Sequence, residues 1–507
     1  IDTNMLINFN EPIAPEADDY LAAQKIDAGY AAFDVFYKGI WRISGGLRYE
    51  SFKQVSLSSS SLIFTKEDSD NYYSEEDILN GTVNDDDFYP ALSLTYVGGE
   101  DYQLRFGYGE TVVRPDLREV VPVGYNDPLT DIRTTGSTTL SSTTLKNFDL
   151  RYELYFDDGD NLAISGFYKD IANPIETVLN VGDSSYTASF TNGETAEVYG
   201  VEAEWLYDLS FVSDGFFTSG NITLSDSEVQ IDAASAGNLT NTEKRMTGHS
   251  QYVVNMQLSY DSANGNHSGS LVYNAFGERI LASGINGRDD SFEQPFHSLD
   301  ATYSYGALTS KGRVDVNVGY SNTDYDINTP LYRSRDRDTT TLGGTFYYNI
   351  MPATDMTFDV IYNDINYDFA LDATAPLDSE EVRMLVGVEW DTTAKTTGYF
   401  KLGHRQKKFD NGNREDFNGL DWRVGVTWTP RTYSTVDFTT FTNTNETNGE
   451  GDFIDTQTYQ LTWDHEWLDR VSTTVNASYS QDEYTGANST RVDDNTTVTF
   501  SVNYEAQ

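Results

Sequence analysis

Cysteine is absent from all 507 residues, so the chain has neither disulfides nor thiolate metal sites. Histidine occurs only five times, which leaves little material for general-base chemistry. No stretch approaches the roughly 18 consecutive apolar residues of a membrane helix. The opening Ile1-Asp2-Thr3-Asn4 has no basic start and apolar core, although an exported protein would already have lost its signal. Cations are scarce as well, 33 Lys and Arg against 80 Asp and Glu, a net charge of −47. That balance opposes a phosphate backbone, so no nucleic-acid partner is expected. The acids gather in runs such as Lys66–Asp70, Asn84–Asp87 and Asp157–Asp160, which read as solvated loops. None has the spaced ladder of an EF-hand-type calcium loop, and no cofactor or metal is expected.

What the chain has is aromatics, 14% of residues with 35 Tyr, in a period of two. In Tyr199-Gly-Val-Glu-Ala-Glu-Trp-Leu-Tyr207, one parity carries Tyr199, Val201, Ala203, Trp205 and Tyr207, and the other carries Gly200, Glu202 and Glu204. A strand sends alternate side chains to opposite faces, so one face is apolar and the other small and acidic. In a soluble sheet the apolar face is the core; in a membrane barrel it meets lipid and the acidic face meets a wet lumen. The same alternation runs through Tyr102–Tyr108, Phe148–Phe156, Tyr252–Tyr260, Val314–Tyr320, Val382–Trp390, Trp422–Trp428, Val471–Tyr479 and Val498–Tyr504. No segment of comparable length has a 3.6-residue period, so the chain reads as all-β.

Connections add a second rhythm. Short turns, such as Tyr37–Gly39, Gly98–Asp101 and Met351–Pro352, alternate with long polar stretches such as Ser51–Asp87, Thr111–Ser142, Val229–Thr247 and Phe369–Glu380. A transmembrane antiparallel β-barrel behaves this way, with short turns on one rim and long loops on the other. Counting Met5–Phe9 as the first, about 22 strands are expected, an even number within the bacterial range. Tyr and Trp near strand ends (Tyr49, Tyr108, Tyr260, Trp390, Trp428) suit the aromatic girdles of such barrels.

From about Tyr20 to Tyr305 the residues Gly45-Gly-Leu-Arg-Tyr-Glu50, Arg114-Pro-Asp-Leu-Arg-Glu119, Phe148–Phe156, Gly166-Phe-Tyr-Lys-Asp170 and Tyr199–Glu204 follow in order. In that order and spacing the chain resembles the barrel of TonB-dependent outer-membrane receptors. The resemblance implies a bacterial outer-membrane protein taking up a scarce, bulky solute: an iron chelate, a cobalamin or an oligosaccharide. It also implies the outer-membrane lipid and lipopolysaccharide as surroundings, and the TonB complex as a partner reached through a plug. No plug domain is expected in this chain, and its last residues, Asn503–Gln507, lack a terminal aromatic. Beyond Gly306, the stretches Lys311–Tyr320, Met356–Tyr362, Gly398–Gly403 and Trp422–Trp428 look more like outer-membrane β-barrels of exopolysaccharide gene clusters. Residues 1–305 are thus expected to be receptor-like strands, and 306–507 further strands closing the same barrel.

Three histidines precede a serine, at His249, His267 and His297, but strand neighbours point to opposite faces and cannot pair as base and nucleophile. Catalysis is not expected. Candidate contacts to solute or plug are the lumen-parity charges Arg105, Arg151, Glu153, Glu202 and Glu204, and Arg118 and Glu119 near a loop rim. Arg114 and Pro115 are read as fixing a strand's exit. Two other functions stand beside receptor-like uptake: a plugless pore or polysaccharide-export barrel, and a secreted, soluble β-rich binding protein.

Overall fold

A computed structural model describes residues 20–504 except 59–73, 122, 127–132, 157–158, 182–185, 232–238, 285–286, 288–289, 294–295, 325–332, 371–375, 394, 448–450, 469 and 487–488. The strand expected at Met5–Phe9, the acidic run Lys66–Asp70, the pair Asp157–Asp158 and the last three residues lie outside the described residues.

The chain begins with β1 (Tyr20–Tyr37), β2 (Trp41–Ser58), β3 (Thr82–Gly98), β4 (Tyr102–Val113), β5 (Gly124–Asn126), β6 (Arg133–Thr135), β7 (Thr143–Tyr155), β8 (Asn161–Ala172), β9 (Ile175–Val181), β10 (Tyr186–Asn192) and β11 (Thr195–Asp208). It continues with β12 (Phe216–Gln230), β13 (Glu243–Lys244), β14 (Tyr252–Asp261), β15 (His267–Phe276), β16 (Arg279–Ala282) and β17 (Ser291–Glu293). Next are β18 (Phe296–Tyr305), β19 (Gly312–Thr323), β20 (Arg337–Met351), β21 (Thr354–Tyr367), β22 (Ser379–Thr393) and β23 (Thr396–Phe409). The last are β24 (Phe417–Arg431), β25 (Ser434–Glu446), β26 (Phe453–Leu468), β27 (Val471–Thr485) and β28 (Val492–Tyr504). Among the described residues, the main antiparallel pairing involves 22 strands, the two-residue β13 among them. Among the described residues, two short helices, α1 (Glu75–Asn80) and α2 (Leu117–Val120), interrupt the pattern. Among the described residues, no helix is long and apolar enough to cross a membrane.

Two compact units divide the chain. The first comprises Ile1–Tyr207, Gly220–Val254 and Phe276–Gln294; the second comprises Asp208–Ser219, Asn255–Ala275 and Pro295–Gln507. In the first, β1–β2–β3–β4–β7–β8–β11 pair antiparallel in sequence. The β1–β2 turn puts Lys38 and Gly39 at φ 55° and 70°, the double positive φ that a tight hairpin turn needs to match the strands' twist.

Register turns the alternation of single strands into bands. Across β4, β7, β8 and β11 one row reads Glu110, Lys146, Asp170, Glu197, and the next reads Tyr108, Phe148, Tyr168, Tyr199. Below them come Phe106, Leu150, Gly166, Val201, then Leu104, Tyr152, Ile164, Ala203, then Tyr102, Leu154, Leu162, Trp205. A charged row thus caps an aromatic row, which caps three predominantly apolar ones. From Tyr199 to Tyr207 the strand covers about 27 Å at ~3.4 Å per residue. At a tilt of ~40° that is about 20 Å of depth, comparable to the ~25 Å apolar band of a membrane barrel. These side chains are not a core: Val201 is 54% and Leu150 52% exposed.

The second unit pairs every consecutive strand from β18 to β28 antiparallel. It has the same inversion. Met384, Val386, Phe400, Leu402 and Leu420 are exposed, whereas Arg383, Arg405, Lys407 and Asp421 are buried.

The long connections are more ordered than expected. Ser51–Asp87 is partly strand, because β2 runs on to Ser58 and β3 starts at Thr82, with Ser51 opposite Asp86 and Val55 opposite Thr82. The acids Asn84–Asp87 therefore lie in a strand, not in a loop. Phe52, Gln54, Val55, Ser56 and Leu57 are all buried; with both faces covered by protein, the apolar–polar alternation has no reason to continue. Thr111–Ser142 holds α2, β5 and β6, the latter two in a small sheet with β9 and β10.

An arginine in place of Val201 puts a charge in the apolar band and is expected to cost about 2–4 kcal/mol if the site lies near mid-depth. Glu202→Gln, on the opposite face, is expected to cost less than about 1 kcal/mol. Urea unfolding in lipid vesicles measures both, and equal costs would contradict the assignment of faces.

Candidate functional site

On the charged face of the first unit the register brings four of the expected residues together. Arg105 and Arg151 are cross-strand partners on β4 and β7, so two like charges stand side by side and need anions near them. Arg151 donates to Glu153 at 2.7 Å and, across β8, to Glu204 at 2.5 Å. That reach is open because β8 interposes only Ser165 and Ala163 on this face. Arg105 approaches Glu153 at 3.7 Å. Tyr155 donates to Glu153 at 2.8 Å and receives Gln103 at 2.9 Å. The result is an ion ladder over three strands, partly open to solvent, with Arg105 at 47% side-chain exposure. Glu202 stands apart and accepts from Thr223 at 3.2 Å.

Arg118 and Glu119 lie elsewhere, in α2. Asp116 caps that helix by accepting from the Arg118 amide at 2.9 Å, and the Glu119 carboxylate accepts from the Asp116 amide at 2.8 Å. This reciprocal box is written in the sequence as Asp116-Leu-Arg-Glu119. Burial pushes the Glu119 carboxyl above its usual range, while the Arg118 guanidinium sits 5.5 Å from the Tyr125 ring centroid. Arg114 returns to β2, 2.7 Å from Glu50 and over the Phe52 ring. Pro115 follows the end of β4 at Val113, the strand exit that these two residues were expected to fix.

The histidines pair with other hydroxyls than their neighbours'. His249 meets Ser225 through Nε2 at 3.0 Å and Ser227 through Nδ1 at 2.9 Å. Both ring nitrogens are thereby taken by hydroxyls, which leaves none for the orienting carboxylate of a triad. Burial lowers the His249 pKa; Asp226 opposes that shift and Arg245 adds to it. His267 contacts the Tyr303 hydroxyl and His297 that of Tyr273. Among the described residues, no group of three or more His, Asp or Glu could hold a metal ion.

The second unit carries a charged network that sequence reasoning missed. Arg383 clamps Asp421 with two 2.8 Å hydrogen bonds and also donates to the Thr442 carbonyl at 3.0 Å. Thr442 donates to Asp421 at 2.9 Å. Lys401 lies 3.1 Å from Asp359, Lys407 lies 2.5 Å from Glu446, and Arg405 pairs with Asp455 over the Phe417 ring. Tyr367 donates to the second oxygen of Glu446 at 2.5 Å. Arg405, Lys407 and Asp421 are fully buried, a placement charges tolerate only when paired. The readable signal was Lys401, Arg405 and Lys407 at even spacing against Phe400 and Leu402, three cations on one strand face in a cation-poor chain.

The chain matches two family models. The one described as "TonB dependent receptor-like, beta-barrel" covers residues 2–320, and the one described as "Putative beta-barrel porin 2" covers residues 228–507. No curated protein matches the sequence. Among solved structures, the ferric-catecholate import receptor Fiu from E. coli K12, in its open form, is 11% identical with a TM-score of 0.41, the match covering 94% of this chain and 80% of that one. The copper transporter OprC is 12% identical with a TM-score of 0.45, at 96% and 81% coverage. The siderophore receptor PiuA from Acinetobacter baumannii is 10% identical with a TM-score of 0.43, at 96% and 80% coverage.

A double-mutant cycle between Arg151→Ala and Glu204→Gln is expected to give a coupling of about 0.5–1 kcal/mol in urea unfolding, as for a partly exposed pair. A coupling near zero would show that the two do not interact. His249 has its pKa depressed in the fold, so between that value and the unfolded one near 6.5 the unfolded chain holds more protons and stability rises with pH. Protection of the amides of residues 245–251, taken relative to their intrinsic exchange rates at each pH, is therefore expected to fall as pH drops below ~6.5, and His249→Gln should flatten that dependence.

Proposed function

Because the chain belongs to the TonB-dependent receptor-like β-barrel family and is an all-β protein of the bacterial outer membrane, we propose that it takes up a scarce, bulky solute along its charged strand faces. An iron chelate, a cobalamin or an oligosaccharide is the class of cargo. The observation that carries this reading is the inverted pleat: apolar rows such as Phe106–Leu150–Val201 are exposed, while the charges turn to the other face. A soluble β-rich binding protein would bury those rows, and so this alternative loses its support. In the proposed scheme Arg105, Arg151, Glu153, Glu202 and Glu204 contact solute or a plug. Arg118 and Glu119 hold the adjoining loop in shape. Energy comes from the TonB complex, as the family match implies for a partner.

A pore or polysaccharide-export barrel is the second reading, favoured by the porin match over residues 228–507. The two differ in their need for energy. In cells expressing the full-length protein, uptake of labelled ferric siderophore or cobalamin is expected to drop to background when a protonophore collapses the proton gradient. Uptake that survives the protonophore, together with large steady conductance in a planar bilayer, would favour the pore.

A further inference from the structure

We propose that the second unit carries a saccharide subsite, for an oligosaccharide of two or three rings, in a cavity on its charged face. This rests on the reading that solute travels along that face, and adds which chemistry the face selects. The cavity has a volume of about 710 Å³, within the ~300–1,000 Å³ typical of small-molecule sites. The polar part of its lining comes from the charged parity of β20–β25, with Tyr347, Asn349, Asp355, Glu389, Tyr399 and Asp437, while the opposite parity and the adjoining turns line the rest.

Two rings offer apolar platforms. Tyr399 lies against Gly425, where a Cβ would fall 2.6 Å from the ring, so the absent side chain is what lets the ring lie close to the strand. The Arg313 guanidinium covers Tyr347 at 3.8 Å from its centroid, which fixes that ring in place. Between them stand three carboxylates, each with a hydrogen-bond donor or a cation near it. Asp355 accepts from Asn349 at 2.9 Å, Glu389 lies 3.8 Å from Lys401, and Asp437 accepts from Thr427. Thr397, Thr427 and Thr439 add hydroxyls to the wall.

Each alternative class of ligand meets an obstacle. Three carboxylates repel a phosphate or other anion. An organic cation would compete with Lys401 for Glu389. A sugar ring suits the mixture: its C–H faces lie on tyrosine, whose ring is apolar in the plane's faces and polar at the hydroxyl. Its hydroxyls donate to carboxylate oxygens, which keep lone pairs beyond those already used. Being neutral, it leaves the existing ion pairs intact.

The test is calorimetric titration of the detergent-purified full-length protein with three neutral sugars, maltotriose, chitotriose and cellotriose. At least one is expected to bind saturably. Tyr399→Ala should weaken that binding at least about tenfold, and Tyr399→Phe less than about threefold. Glu389→Gln, nearly isosteric, should weaken it several-fold and decides the matter if Tyr399→Ala fails to fold, as judged by heat-dependent gel mobility. No binding by any of the three sugars overturns the proposal, as does binding that neither Tyr399→Ala nor Glu389→Gln weakens. Binding in detergent needs no proton gradient. Loss of uptake with intact sugar binding therefore counts against the transport reading alone, and uptake without sugar binding counts against the subsite alone.

Discussion

Hydrocarbon lying against one side of the long antiparallel strands restricts what the other side must hold. Lipid offers no hydrogen bonds, so the backbone satisfies itself strand to strand. Alternate side chains then divide by medium, apolar outward and everything polar to the opposite face. With 33 cations to 80 acids, the chain has too few positive charges to pair each carboxylate. It uses them where anions lose water, as at Asp421, Asp359 and Glu446. Other acidic positions remain near solvent, as Asp27 and Glu197 do at exposed sites.

The parity of single strands is a local property, and it was readable. Tyr199 to Tyr207 alternates whatever its neighbours are, and the exposed Val201 and Tyr199 follow from it. What belongs to the register was not readable. Arg151 and Glu204 are 53 positions apart, and nothing near either one says that β8 will place only Ser165 and Ala163 between them. His249 illustrates the same divide. Its inability to pair with Ser250 follows from adjacency, whereas its contacts with Ser225 and Ser227 follow from the return of the chain beside β12. A third kind of miss is different again: the strand extensions beyond Glu50 were lost because the signal changes where the lipid ends. Gln54, Ser56 and Leu57 are buried alike, so no alternation marks them as strand. The box Asp116-x-x-Glu119, by contrast, was legible and simply unread.

The two charged networks differ in the free energy needed to break them, and that difference bears on function. The ladder at Arg105, Arg151, Glu153 and Glu204 keeps contact with water, so a broken pair is rehydrated and the loss is about 1 kcal/mol. The network at Arg383, Arg405, Lys407 and Asp421 has no such recourse. Separating one of its pairs strands a charge in a dry place, at about 3–5 kcal/mol. A passing solute offers only the differential binding energy of its own few polar contacts. Partners exchange more readily along the first unit's ladder, where in the proposed uptake a ligand's hydroxyl or carboxylate would replace Glu204 on Arg151. In the second unit the proposed ligand would instead meet groups that need not move, such as the Tyr399 ring held on Gly425. In the proposed uptake, burial alone would divide the work between yielding charges in the first unit and fixed surfaces in the second.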